Sequence, residues 1–144
     1  MEKIEKFNIR VYGLLIADEK LLLIKDQYVG EKIVKFPGGG LEFGEGITDC
    51  LKREFLEELN LQIEIDSHFY TQENFLQSKF RDNEQLITIY YKVKAKDLNT
   101  LQILEKEIEE ILWISFSELN TNEITLPIDK IVVEKLIAEN ILFQ

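Results

Sequence analysis

Residues 36–61 read FPGGGLEFGEGITDCLKREFLEELNL, and no other stretch constrains this chain as tightly. Glycines at 38, 39, 40, 44 and 46 leave a backbone that can turn sharply and approach another group without a Cβ in the way. The run that follows has the periodicity of a helix, from about Thr48 to Leu59, with Asp49 in its first turn and Asn60 at its end. At about 100° per residue, Leu51, Phe55 and Leu59 make one apolar stripe. Glu54, Glu57 and Glu58 share a second, narrow face, with Arg53 at its margin. Like charges at these spacings repel by a few tenths of a kcal/mol per pair, so the acidic face gains the helix nothing by itself. A hard divalent cation reverses that sign, and the carbonyls of a glycine-rich segment are further oxygen donors.

The rest of the chain supplies a sheet for the apolar stripe to cover. The β-branched and aromatic run 7–16 predicts a strand, 17–19 a turn and 20–26 a second strand, together a hairpin. A short strand over 32–36 stops at Pro37, and the glycines are expected to form a loop. Strand-like segments follow at 61–75 and 85–95, the second with strict alternation, separated by a polar loop at 77–84. A last short strand is expected at 111–115, a helical turn at 116–120 and a C-terminal helix over 127–140, with Pro127 in its first turn. Strands, helix, strands, helix predicts a mixed α/β sandwich.

Size and charge narrow the function. The 144 residues favour one domain, 1–144, long enough to build a core without disulfides. A formal net charge of −10 argues against a nucleic-acid polymer or an anionic membrane as partner. The single cysteine, Cys50, excludes an internal disulfide and a multi-cysteine zinc site, and reads as core filler. The lone histidine, His68, has no sequence neighbour that suggests a relay and reads as structural. With no secretory leader and no apolar run of membrane length, a cytoplasmic protein is expected.

Spacing joins the glycines to the acids. Gly39 is followed after five residues by Glu45, and seven residues later come Arg53-Glu54, apolar Phe55, Glu57-Glu58, a turn residue and apolar Leu61. This resembles the Nudix box, G-x5-E-x7-R-E-U-x-E-E-x-G-U, where U is a bulky apolar residue. Asn60 stands where the box has its second glycine, a mild departure because Asn tolerates positive φ. The local match covers about a sixth of the chain. A strand ending in Phe36-Pro37-Gly38-Gly39 and an acid-rich segment before Trp113 fit the wider pattern.

The resemblance implies the Nudix-type α/β/α sandwich, a mixed β-sheet between helices, and hydrolysis of a pyrophosphate bond in a nucleoside diphosphate linked to another moiety. The substrate would be a nucleoside triphosphate, damaged or intact, an ADP-sugar or a dinucleoside polyphosphate; the short chain leans toward a small, mutator-type enzyme. It implies Mg²⁺ (or Mn²⁺) held by Glu54, Glu57, Glu58 and the Gly38 carbonyl. Arg53 and Glu45 would pair to orient helix and loop beside Gly39. For the general base it offers a box glutamate or one before the last strand, Glu107 first and Glu110 second. Arg10 and Lys35 are candidates for phosphate contact, and Tyr28, Phe36, Phe75, Phe80 and Trp113 for stacking on a base. A homodimer is what many relatives form. The competing expectation is a Nudix-fold sensor that binds a nucleotide without cleaving it; such proteins usually lose box acids, and here all are present.

Overall fold

A computed structural model describes residues 3–28 and 30–142. The described residues form seven strands and two α-helices: β1 (Lys6–Ala17), β2 (Lys20–Tyr28), β3 (Glu31–Lys35), β4 (Gly38–Gly40), α1 (Ile47–Leu59), β5 (Ile63–Thr71), β6 (Glu84–Ala95), β7 (Ile108–Ser115) and α2 (Pro127–Leu142). The predicted hairpin is tight. Ala17 pairs with Lys20, and the two turn residues, Asp18 (φ 51°) and Glu19 (φ 60°), both take left-handed backbone. That conformation matches the twist of the flanking strands.

β1 is the spine. It runs parallel to β6 from Lys6↔Glu84 to Leu15↔Val93, and β5 adds to β6 antiparallel. On its other side β1 pairs with β2 only at the turn, Ile16↔Leu21 and Ala17↔Lys20. The strands then part. β4 pairs with β1 antiparallel at Arg10↔Gly40, Val11↔Gly39 and Tyr12↔Gly38, while β2 continues between β3 and β7.

The glycines expected in a loop are therefore a strand. Gly38 has φ +148°, and a Cβ there would stand 2.1 Å from the Val11 carbonyl oxygen, so at this position β4 can lie so close to β1 only without a side chain. Two smaller expectations also shift. The strand read over 61–75 covers only 63–71 and is bulged between Ile65 and Ser67 and between His68 and Tyr70, which breaks the side-chain alternation. The stretch 116–120 is a hydrogen-bonded turn without a helix, Glu118 N–H to the Ser115 carbonyl.

Strand alternation sorts the core into two layers. Val11, Leu15, Leu22, Ile24 and Val93 pack under Leu51, Phe55 and Leu59 of α1. Gly13 belongs to this face: a Cβ would sit 2.5 Å from the Phe55 ring, so the glycine makes room for the helix. Tyr12, Leu14, Leu21, Leu23 and Tyr90 pack under Val132, Val133 and Leu136 of α2. The Tyr90 hydroxyl donates to buried Asp129 at 2.6 Å and ties α2 to the sheet, and Lys92 pairs with Glu139 further along it. The result is a mixed sheet between two helices, as expected. No helix among the described residues is long and apolar enough to cross a membrane.

Candidate active site

The glycine strand and the acidic helix meet at Gly39. An added Cβ there would lie 2.4 Å from Cδ of Glu54 and 2.5–2.6 Å from its carboxylate oxygens. The Glu54 carboxylate is thus seated on the bare backbone of β4. Glu58, one turn on, has the Glu54 carboxyl and the Gly38 N–H as its neighbours. Burial pushes the Glu58 carboxyl up to about 8, aided by the neighbouring Glu54 and opposed by Lys35 and the Gly38 N–H. Among the described residues its Oε2 is buried without a hydrogen-bond partner.

Arg53 is the hub that holds this arrangement. Its Nε and Nη2 donate to the two oxygens of Glu45 at 2.9 and 2.7 Å, and Nη2 also donates to the Gly40 carbonyl at 3.1 Å. Nη1 donates to Glu54 at 3.0 Å and to the more exposed Glu57 at 3.1 Å. The guanidinium, followed by the Glu42 N–H, pulls the Glu45 carboxyl down to about 2. Gly46, not a side chain, caps the helix start; at its end Asn60 takes φ 56°, ψ 29°, the backbone a glycine would supply. Its amide also donates to the Thr100 carbonyl at 3.0 Å, a bond glycine lacks. Cys50 is fully buried, its thiol near the Gly40 carbonyl (3.5 Å) and pushed up to about 12, chiefly by burial, so it is no nucleophile.

Lys35, at the end of β3, links this cluster to a cleft of about 490 Å³. Its ammonium lies 3.3 Å from Asp26, in a pair whose side chains are only 14% and 11% exposed. The cleft is walled by Arg10 and Tyr12 of β1, Lys35, the segment 76–81 and the start of α2 at Pro127. Arg10 donates to the Tyr12 hydroxyl at 2.6 Å and lies over that ring. The cleft therefore gathers Arg10, Lys35, Lys79 and Arg81 in a chain whose net charge is −10.

Other expected residues lie apart. Glu107 is exposed in the turn before β7, where its carbonyl accepts from the Gln27 N–H at 2.9 Å, and it does not line the cleft. Glu110 is exposed on β7 opposite Lys25. His68 reaches the Thr71 hydroxyl at 2.8 Å on an exposed edge. Phe36 is buried in the α2 layer, Trp113 is half-buried in the α1 layer and Phe75 is 64% exposed; Phe80 alone of these lines the cleft. The side chain of Tyr28 lies outside the described residues. Asp26, Asn8 and Glu84 were not singled out in the sequence. Each looks there like an ordinary polar residue, and only strand register places Asp26 and Glu84 in buried positions beside a cation.

Sandwich, β4 edge and acidic helix define the class, and comparison places the chain within it. Residues 6–136 match the model of the NUDIX domain. The chain belongs to the NUDIX family, whose members generally use divalent metal cations. Over 88 residues it is 30% identical to "Nucleoside triphosphatase NudI" of Enterobacter sp. (strain 638), covering 58% of this chain and 62% of that protein. A NUDIX hydrolase from Nitrosomonas europaea matches over 92% of this chain and 89% of its own, with TM-score 0.75 and 20% identity. A MutT NUDIX hydrolase from Burkholderia pseudomallei matches over 92% and 99%, with TM-score 0.76 and 18% identity. At such identities the structural matches speak for the fold.

The residues suit a hard divalent cation. Among the described residues no three acidic, His or Cys side chains close into a cage. Mg²⁺ does not need one, since it keeps several waters and takes one or two carboxylates. Glu54 and Glu58 offer that pair, and Oε2 of Glu58, unpartnered among the described residues, is an oxygen whose burial a cation would offset.

Proposed function

We propose that this protein is a Mg²⁺-dependent (or Mn²⁺-dependent) pyrophosphohydrolase that cleaves a nucleoside diphosphate linked to another moiety. The observation that carries the reading is the Glu54–Glu58 carboxyl pair at the Gly38–Gly39 edge, joined by Lys35 to a cation-lined cleft. Two acidic groups pressed together in a half-buried setting cost stability. A bound cation reverses that cost and lets an anionic pyrophosphate approach an acidic helix.

In this proposal Glu54, Glu57, Glu58 and the Gly38 carbonyl hold the cation. When bound, the cation neutralises charge on the pyrophosphate and lowers the pKa of a coordinated water. Arg53 is a positioning residue: through Glu45 and the Gly40 carbonyl it locks α1 against β4, and through Nη1 it aims Glu54 and Glu57. Lys35 and Arg10 receive the phosphates in the cleft. A carboxylate takes the proton of the attacking water as the P–O bond to the leaving phosphate breaks. A box glutamate, by its place in the cluster, suits that part better than Glu107, which stands on an exposed turn outside the cleft. The relative named a nucleoside triphosphatase supports a nucleoside triphosphate as substrate. The proposal carries with it a cytoplasmic, single-domain enzyme, homodimeric like many relatives, without a nucleic-acid polymer as partner.

The test is release of phosphate or pyrophosphate from a panel of nucleoside triphosphates, ADP-sugars and dinucleoside polyphosphates, with Mg²⁺ and with EDTA. Metal-dependent cleavage of at least one of them is expected. Nucleotide binding with no cleavage across the panel would favour a sensor instead.

A further inference from the structure

The cleft changes character along its length. On the α2 side of the sheet, Tyr12, Arg10 and Asn8 follow one another down β1, and Thr88, Leu86 and Glu84 follow one another down β6 beside them. Tyr12 is paired with Gly38 and so marks the catalytic end, near Lys35. Asn8 and Glu84 mark the far end, Asn8 about 13 Å along the strand from Tyr12 at ~3.3 Å per residue. The near end offers Arg10 and Lys35 beside the acids, and the far end, one nucleoside length away, offers the Glu84 carboxylate with Asn8 and Arg81 against it, a span that a nucleotide matches.

Glu84 is the unusual group there. Its side chain is only 8% exposed, yet among the described residues the side-chain donors that reach it are distant: Asn8 Nδ2 at 3.4 Å and Arg81 Nη1 at 3.5 Å. Both are at the long limit of a hydrogen bond. A carboxylate has about four acceptor positions, and among the described residues two long contacts fill them only in part. Asn8, whose amide N–H₂ is turned to Glu84, offers its own oxygen as another acceptor. The wall opposite is held in place. Ser78 Oγ accepts from the N–H groups of Phe80 and Arg81, both at 3.2 Å, and the Ser78 N–H donates to the Glu84 carbonyl at 3.0 Å. Half-buried Phe80 is thus carried on a pinned turn at the same end of the cleft.

We infer that the Asn8–Glu84 end of the cleft reads the base and selects one that carries an exocyclic amino group over its oxo counterpart. This rests on the nucleotide reading of the cleft given above. Two acceptors facing a ligand call for N–H donors, which adenine and cytosine present at the exocyclic nitrogen, where hypoxanthine and uracil carry an oxo group. A site built to accept from an N–H rejects the analogue without one, because its buried acceptor is then left unpaired. Phe80 supplies an aromatic face that is tolerant of base identity, so discrimination falls to Glu84 and Asn8.

Two matched pairs test this: AMP against IMP and CMP against UMP, each titrated into the full chain by calorimetry, with no turnover needed. The amino member of each pair is expected to bind about tenfold tighter or more in the wild type. In Glu84→Gln the preference falls to about parity, since the new amide N–H₂ can meet an oxo group. Equal binding within each pair, no binding of any of the four, or an unchanged preference in Glu84→Gln overturns the inference. The wild-type comparison stands even where the variant folds poorly. Preference in binding without metal-dependent cleavage of any nucleotide would overturn the hydrolase reading alone; cleavage without preference would overturn this one alone.

Discussion

Gly39 is where the glycines of β4 and the acids of α1 depend on one another. Its Cα lies under the Glu54 carboxylate, and the position has ordinary φ, so a methyl group there is a steric intrusion and not a backbone strain. Gly39→Ala is therefore expected to displace Glu54 and lower kcat by about a hundredfold, the scale on which a small misplacement of a site group acts. Circular dichroism and kinetics on the same sample check that the loss is local. Glu45 allows a second test. Its carboxyl falls from the ordinary 4.5 to about 2 because Arg53 donates two bonds to it. The group therefore contributes stability above pH 4.5, and that contribution is lost as pH falls toward 2. The Tm of wild type should fall more than that of Glu45→Gln between pH 5 and pH 2.5. At this scale the box was legible: the spacing pointed to Arg53, Glu45, Glu54 and Glu58 together, and Asn60 was readable as a glycine substitute. Asp26 and Glu84 were not legible, because a charged residue shows its burial only through distant pairing, Asp26 against Ile33 and Ile108, Glu84 against Lys6.

Among the elements, the β1–β2 hairpin carries a correctable cost. Glu19 sits at φ 60° with a full side chain, where a left-handed backbone costs an L-residue roughly 1 kcal/mol or more. Glu19→Gly creates the Asp-Gly pair that such a turn favours and should raise the Tm by about 3 °C. Thermal unfolding measures it, and a lower Tm would contradict the turn geometry. The α1 stop runs the other way: Asn60→Ala forces a Cβ-bearing residue without Asn's tolerance into φ 56° and removes the bond to the Thr100 carbonyl, so it should destabilise by about 1–2 kcal/mol. Helices and long strands were legible from periodicity and turn residues. β4 was not, since three glycines carry no side-chain alternation to read and join the sheet through backbone alone. The bulges of β5 were hidden for a related reason: an inserted residue shifts the alternation out of phase, and it is seen only against the partner strand.

Across the whole molecule, α2 is fastened to the sheet by a buried polar contact, Tyr90 to Asp129. Burial pushes the Asp129 carboxyl from 3.8 to about 6, partly offset by the Tyr90 hydroxyl, Lys35 and the Phe36 N–H. Below pH 3.8 folded and unfolded chains both hold this proton and there is no penalty. Between 3.8 and 6 the unfolded chain releases it first, so stability falls as pH rises, and the full penalty stands above 6. Asp129→Asn keeps an oxygen for Tyr90 to donate to and removes the titration. Relative to the variant, wild type should lose on the order of 3 kcal/mol between pH 4 and pH 7, read from urea unfolding at each pH.

At the same scale the molecule joins two opposite fields, an acidic helix face and a cationic cleft, with Lys35 between them. A divalent cation reconciles the acids with an anionic substrate, and Glu58 is the residue on which that claim concentrates. The decisive measurement is steady-state hydrolysis of the best nucleotide substrate by wild type and Glu58→Gln, with Mg²⁺ and with EDTA. The predicted result is turnover that EDTA abolishes and that the substitution lowers by at least about a hundredfold, with the Tm held or raised as a buried titrating carboxyl is replaced by a neutral amide. Near-normal turnover by Glu58→Gln in the presence of Mg²⁺ would contradict it.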